Sequence, residues 1–162
     1  MKYKLSHCTE AQESAVPRKK ITFIITGLQT GGAETMLLKL CSKIDRSRFF
    51  LSVISLRDHG TIGQRIEDMR VPVYSLYFHK NMIPIIAIYN FFKVVKDLQP
   101  DLIQGWMYHG NLAASLFARN AIVCWGVRQS FYGLGKERQL TRWIMRIGKL
   151  LSRFSNCIIY NR

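Results

Sequence analysis

The chain has 162 residues, 48% of them hydrophobic, which suits one packed core and falls short of two comfortable domains. Lys and Arg number 24 against 10 Asp and Glu, a formal charge of +14, so the expected partners are anionic: nucleotide phosphates, an anionic membrane surface or nucleic acid. Residues 1–20 are polar and mixed in charge, without the apolar centre of a signal peptide, and read as a flexible extension of a protein on the cytoplasmic side. From there strand and helix periods alternate. Ile21 to Thr26 is a short β-branched run, and Ala33, Met36, Leu37, Leu40, Cys41 and Ile44 then recur as one stripe of a helix. Strand Phe50 to Leu56 and helix Thr61 to Met69 follow, then strand Val71 to Phe78 and a helix from Pro84 to Leu98 stopped by Pro100. Strand Asp101 to Trp106, helix Gly110 to Arg119, strand Ala121 to Val127, helix Arg138 to Phe154 and strand Asn156 to Tyr160 complete the pattern.

Six strands separated by five helices predict an α/β fold, a Rossmann-like doubly wound parallel sheet with helices on both faces. By analogy with other chains of this pattern the strand order is 3-2-1-4-5-6. Ligands of such sheets bind at the carboxyl ends of strands where the winding direction reverses, here between the first and fourth strands. The turn Gly27 to Gly32 stands at one of those ends and Trp106 to His109 at the other. The loop Arg128-Gln129-Ser130, leaving the neighbouring fifth strand, brings a cation to the same edge.

The glycine turn has neither the G-x-G-x-x-G spacing of a dinucleotide fingerprint nor the G-K-[ST] ending of a P-loop. Gly31, Gly32 and Ala33 nevertheless open a helix with three small residues, so its unpaired N–H groups and positive dipole end can face a bulky anion. A purely steric turn explains the same glycines. Glu34 reads as a residue complementing the helix dipole. In "WMYHGN", Trp106 and Tyr108 can wall a sugar or base, His109 can donate or accept a hydrogen bond, and Gly110 leaves the approach open. Core packing is the other reading of Trp106, and capping that of His109, as of His7, His59 and His79.

Cys8, Cys41, Cys124 and Cys157 lie far apart, with no Cys-x-x-Cys pair and no histidine at metal-ligand spacing. They read as small buried hydrophobes in a reducing cytosol, with no disulfide and no metal. The longest apolar run, Met82 to Val95, is interrupted by Asn90 and Lys93 and is too short to span a bilayer, although one face can lie on it.

Three segments, "ITGLQTGGAE", "QPDLIQGWMYHGN" and "VCWGVRQS", in this order and on these elements, resemble the amino-terminal half of a family-four glycosyltransferase with the two-domain, Rossmann-like GT-B fold. The resemblance covers Ile21 to Asn161. It implies that residues 21–162 form the acceptor-side domain, whose glycine loop touches the diphosphate of a nucleotide-sugar held chiefly by a carboxy-terminal donor-binding domain. By the same resemblance Gly31 and Gly32 are phosphate-loop residues, His109 lines the transfer site, and Arg128 contacts phosphate or acceptor. The implied reaction is transfer of a sugar from a nucleotide-sugar to a glycan or lipid-linked acceptor, retaining the anomeric configuration, with no cofactor beyond that co-substrate and no metal. Gln104 and Gln129 stand where relatives often carry histidine. The family's Glu-x7-Glu segment and basic donor-binding residues belong to a second domain not found in this sequence, so the chain is expected to be inactive alone, whether as a fragment or with a separate chain carrying the second half.

The competing class is a non-catalytic basic module. In "RQLTRWIMRIGKLLSRF" Leu140, Trp143, Ile144, Ile147, Leu150, Leu151 and Phe154 form one stripe, and Arg138, Arg142, Arg146, Lys149 and Arg153 line another side. Such a helix can lie on anionic lipid at the inner face of the membrane, or it can be an ordinary core-packed surface helix. Nucleic acid is disfavoured, because the basic residues follow no recognised nucleic-acid motif.

Overall fold

The computed structural model describes residues 17–78, 84–117, 120–127 and 152–160. In chain order these form β1 (Lys19–Ile25), α1 (Gly32–Lys43), β2 (Phe49–Ser55), α2 (Gly60–Asp68), β3 (Val73–Ser75), α3 (Pro84–Leu98), β4 (Leu102–Trp106), α4 (Met107–Phe117), β5 (Ile122–Val127) and β6 (Cys157–Tyr160). The strands make one parallel six-stranded sheet in the order β3-β2-β1-β4-β5-β6. This is the order expected from the alternation, and it puts the reversal of winding between β1 and β4.

Side chains alternate across each strand, so each strand supplies both faces. Phe23, Ile25, Leu51 and Val53 pack on one face with Leu37, Leu38 and Cys41 of α1 and Ile62 and Ile66 of α2. Ile24, Ile54, Ile103, Val123 and Trp125 pack on the other with Phe91 and Val95 of α3 and Ala113 and Ala114 of α4. The inner parts of β1 and β2 are buried on both faces, and their buried polar residues Thr22 and Ser52 bond each other at 2.8 Å.

Several boundaries differ from the periodic reading. β1 starts at Lys19, inside the expected extension, because Asp101 Oδ2 accepts the Lys20 N–H at 2.8 Å and the Lys19 N–H reaches Arg48 O at 3.0 Å. β3 keeps three regular residues of the run Val71 to Phe78. Pro72 contributes only its carbonyl, to Val53 N at 2.9 Å, and Tyr77 takes a positive φ of 51° that ends the pleat. In α1 the buried stripe uses Leu38 where Met36 was expected, and Met36 is exposed. α4 starts at Met107, three residues before Gly110, so no loop separates it from β4; the φ of 63° at Met107 makes the turn.

The cysteines are also nearer than their sequence positions imply. Cys124 in β5 is the register partner of Cys157 in β6, whereas Cys41 is buried in α1. Arg128 and nearly all of the expected helix Arg138 to Phe154 lie outside the described residues; its last residues, Ser152–Phe154, form a 3-10 turn. α3 turns an apolar side outward, with Ile85 75% and Tyr89 66% exposed. Among the described residues no helix is long and apolar enough to cross a membrane.

Candidate functional site

The carboxyl end of β1 leads into the turn Thr26 to Gly31, and that turn is built onto the one that follows β2. Leu56 N and Arg57 N donate to Ile25 O and Thr26 O, each at 2.9 Å, and Ile62 N donates to Leu28 O at 3.0 Å. Side chains reinforce the backbone: Gln29 Nε2 donates to Asp58 Oδ2 at 3.1 Å, and the hydroxyls of Thr30 and Thr61 are 3.0 Å apart. Ser55 Oγ closes the second turn on Asp58 O at 2.6 Å. Gly60, the first residue of α2, has a φ of 56°, and a Cβ there would collide with the Leu28 carbonyl. Gly60 is therefore the glycine that shape demands, since the left-handed conformation and the close approach of two backbones both exclude a side chain.

Gly31 and Gly32 are different. Gly31 precedes α1 with extended backbone, φ −166°, which any residue adopts, and no side chain caps the helix start. Gly32 is exposed, and a Cβ built on it would meet nothing within 4 Å. Backbone shape thus requires glycine at neither position, which weakens the purely steric account of the turn. The one side chain over the helix start is Glu34, whose carboxylate stands where a Cβ on Gly31 would be. That carboxylate faces the positive end of the α1 dipole, the place an incoming anion would take.

On the neighbouring strand, the sharp turn at Met107 sets Tyr108, His109 and Gly110 in the first turn of α4, directly at the end of β4. Tyr108 and His109 are half-buried and Gly110 is buried. A Cβ on Gly110 would strike the Ile24 carbonyl, so the glycine lets α4 ride over β1. The segments "GLQTGGAE" and "WMYHGN" therefore meet at the ends of adjacent strands, as the strand order predicts. Trp106 is 4% exposed and belongs to the core with Leu28, Leu37 and Leu38, so of the two aromatic residues only Tyr108 has surface to offer a ligand. Arg128, which follows the last residue of β5, lies outside the described residues.

Asn111 was not singled out in the sequence, yet it holds this edge together. It is 3% exposed, its Nδ2 donates to Gly126 O at 3.3 Å, and its Oδ1 accepts from Gly126 N at 3.2 Å. Its carboxamide thus bonds both backbone groups of Gly126, the register partner of Trp106 at the end of β4. An Asn one helical turn after a strand end was the available signal, but its partners are set only by tertiary folding. His59, the residue before α2, is engaged with Glu67, Nε2 to Oε2 at 3.2 Å. Among the described residues no three His, Cys, Asp or Glu side chains are grouped to hold a metal ion.

The winding order and the two segments at its reversal define a Rossmann-like domain of the GT-B type. No family model matches the chain, and comparison with curated proteins finds no match in sequence. Solved structures do match in fold. MurG of Acinetobacter baumannii is similar over 88% of this chain and 41% of its own, with a TM-score of 0.58 and 17% identity. HepE of Anabaena, solved in complex with UDP, is similar over 86% of this chain and 36% of its own, with a TM-score of 0.65 and 17% identity. A putative UDP-N-acetylglucosamine 2-epimerase of Listeria monocytogenes is similar over 90% of this chain and 39% of its own, with a TM-score of 0.57 and 13% identity. The chain spans about two-fifths of the length of these proteins.

Proposed function

We propose that the chain is the acceptor-side domain of a retaining family-four glycosyltransferase, which uses a nucleotide-sugar to extend a glycan or lipid-linked acceptor in polysaccharide biosynthesis. The observation that carries this reading is the start of α1. Two glycines that the backbone does not require stand at its N–H groups, at the edge where the sheet reverses, with the Glu34 carboxylate against Gly31 where an anion would displace it. A diphosphate is the anion that fits, because charge develops on it as the sugar leaves, and helix-start N–H groups stabilise that charge without reorganising. Solved structures of like fold include one with UDP bound, which favours a uridine nucleotide as the first ligand to test. Tyr108 and His109, on this reading, stand on the acceptor side of this edge. On this reading the isolated chain folds but transfers no sugar, since one wall leaves a diphosphate in water, where each charged contact is worth little.

The test is calorimetric titration of the chain with UDP, UDP-sugars and GDP-sugars, alongside a product assay. Weak binding by the native chain, lost in Gly32→Val, supports the reading, and the open space around Gly32 means that this variant keeps the fold. Unchanged binding in Gly32→Val returns the turn to a steric role, and turnover by the purified chain alone overturns the half-enzyme.

A second reading, association with the cytoplasmic face of an anionic membrane, is favoured by one observation. α3 exposes Ile85, Ile86 and Tyr89 to water on a chain of charge +14. The two readings are compatible, because a lipid-linked acceptor places the enzyme at the bilayer.

A further inference from the structure

Cys124 and Cys157 are the one cysteine pair that the sheet brings into register among the described residues. Neighbouring strands run about 4.8 Å apart, inside the Cα separation that a disulfide spans. Register partners also project to the same side of a sheet, so both thiols share a face. That face is opposite the one on which Val123 and Trp125 pack with α4. The register itself is held: Asn156, one residue before β6, donates its N–H to Val123 O at 2.8 Å, and its Oδ1 accepts from Val123 N at 2.9 Å. On the other side of Cys124, Trp125 Nε1 donates to Ser115 Oγ at 2.9 Å and fixes β5 to α4. Cys157 is exposed and Cys124 is buried beside it.

We propose that Cys124 and Cys157 are a dithiol modification site, oxidised by a small-molecule disulfide to an intrachain bond that ties β6 to β5. Burial pushes the Cys124 thiol up, and the neighbouring Cys157 adds to this, so the exposed Cys157 is the sulfur that meets the oxidant first. Cys157 gives its proton to solvent and attacks one sulfur of the small disulfide, forming a mixed disulfide and releasing one small thiolate. Cys124 then loses its proton and attacks the Cys157 sulfur, expelling the second thiolate. The two released thiolates take up the two protons; the protein sulfurs lose two electrons, and the small disulfide is reduced by two. The bond closes the chain between β5 and β6, which restricts the unfolded ensemble and raises thermal stability.

The experiment uses the full chain carrying Cys8→Ser, incubated with oxidised glutathione, alkylated in denaturant and mapped by peptide mass. The expected result is a linked peptide pair containing Cys124 and Cys157, reversible by dithiothreitol, with Cys41 still a thiol and Tm raised by on the order of 5 °C. Cys124→Ala should instead accumulate glutathione on Cys157, and Cys157→Ser should take up none. If Cys124→Ala fails to fold, mass mapping of the oxidised parent still decides the matter. Three alkylatable thiols after oxidation, a persistent glutathione adduct on Cys157 in the parent, or a bond between two copies through Cys157 would each overturn the proposal.

Discussion

At the scale of single residues, the glycines of the edge separate by what a side chain would meet. Gly60 is left-handed and pressed against the Leu28 carbonyl, whereas Gly32 faces open space. Gly60→Ala is expected to lower stability by about 2 kcal/mol or more, and Gly32→Ala to leave it within about 0.5 kcal/mol, both read from urea denaturation. Asn111 is a second residue whose role is local and sharp. Asn111→Ala removes two buried side-chain hydrogen bonds to Gly126, and a loss of about 2 kcal/mol is expected from the same measurement. Glu34, over the start of α1, complements the helix dipole and on the proposed reading opposes an anion, so Glu34→Gln is expected to tighten UDP binding about threefold in calorimetry. A Glu34→Gln variant that binds more weakly would mean that the carboxylate contacts the ligand rather than guarding the dipole.

At the scale of elements, a surface carboxylate marks how the sheet begins. Asp101 titrates below the usual carboxylate range, chiefly because it accepts the Lys20 N–H, with Lys19 Nζ also bonded to it at 3.4 Å. A carboxyl lowered in the folded state stabilises the fold above the ordinary pKa of about 4, and that contribution is lost as pH falls through the lowered value. Asp101→Asn should therefore be less stable than the native chain at neutral pH, the gap closing on acidification below about pH 4, as followed by thermal melts. The alternation of strands and helices was legible because the central strands β1 and β2 are buried on both faces and α1 and α2 each bury one stripe. The ends were not, because they depend on partners distant in sequence. Lys19 and Lys20 read as extension until Asp101 and Arg48 supply their bonds, and α4 begins at Met107 through a positive φ that no composition rule foretells. The glycine turn was legible as a turn between strand and helix, but which glycine serves shape and which leaves space required the packing of α2 against Leu28.

At the scale of the whole molecule, strand order is what turns two distant segments into one edge. The reversal between β1 and β4 puts the open start of α1 beside Tyr108 and His109, while the charge of +14 draws anions to the surface as a whole. If the exposed side of α3 meets lipid, the chain should sediment with anionic vesicles at low salt, and Ile85→Asp with Tyr89→Asp should weaken this while melting normally. Equal sedimentation of that variant would assign the attraction to charge alone. The chain spans about two-fifths of the length of the similar structures, and the claim made for it is that a diphosphate binds at the start of α1. Amide chemical-shift mapping of the 162-residue chain during a UDP titration tests that claim most directly. Saturable shifts centred on Gly31, Gly32 and Ala33, extending to Tyr108 and His109, are the predicted result; no shift there, or weak shifts spread over the lysines and arginines and abolished by salt, would contradict it.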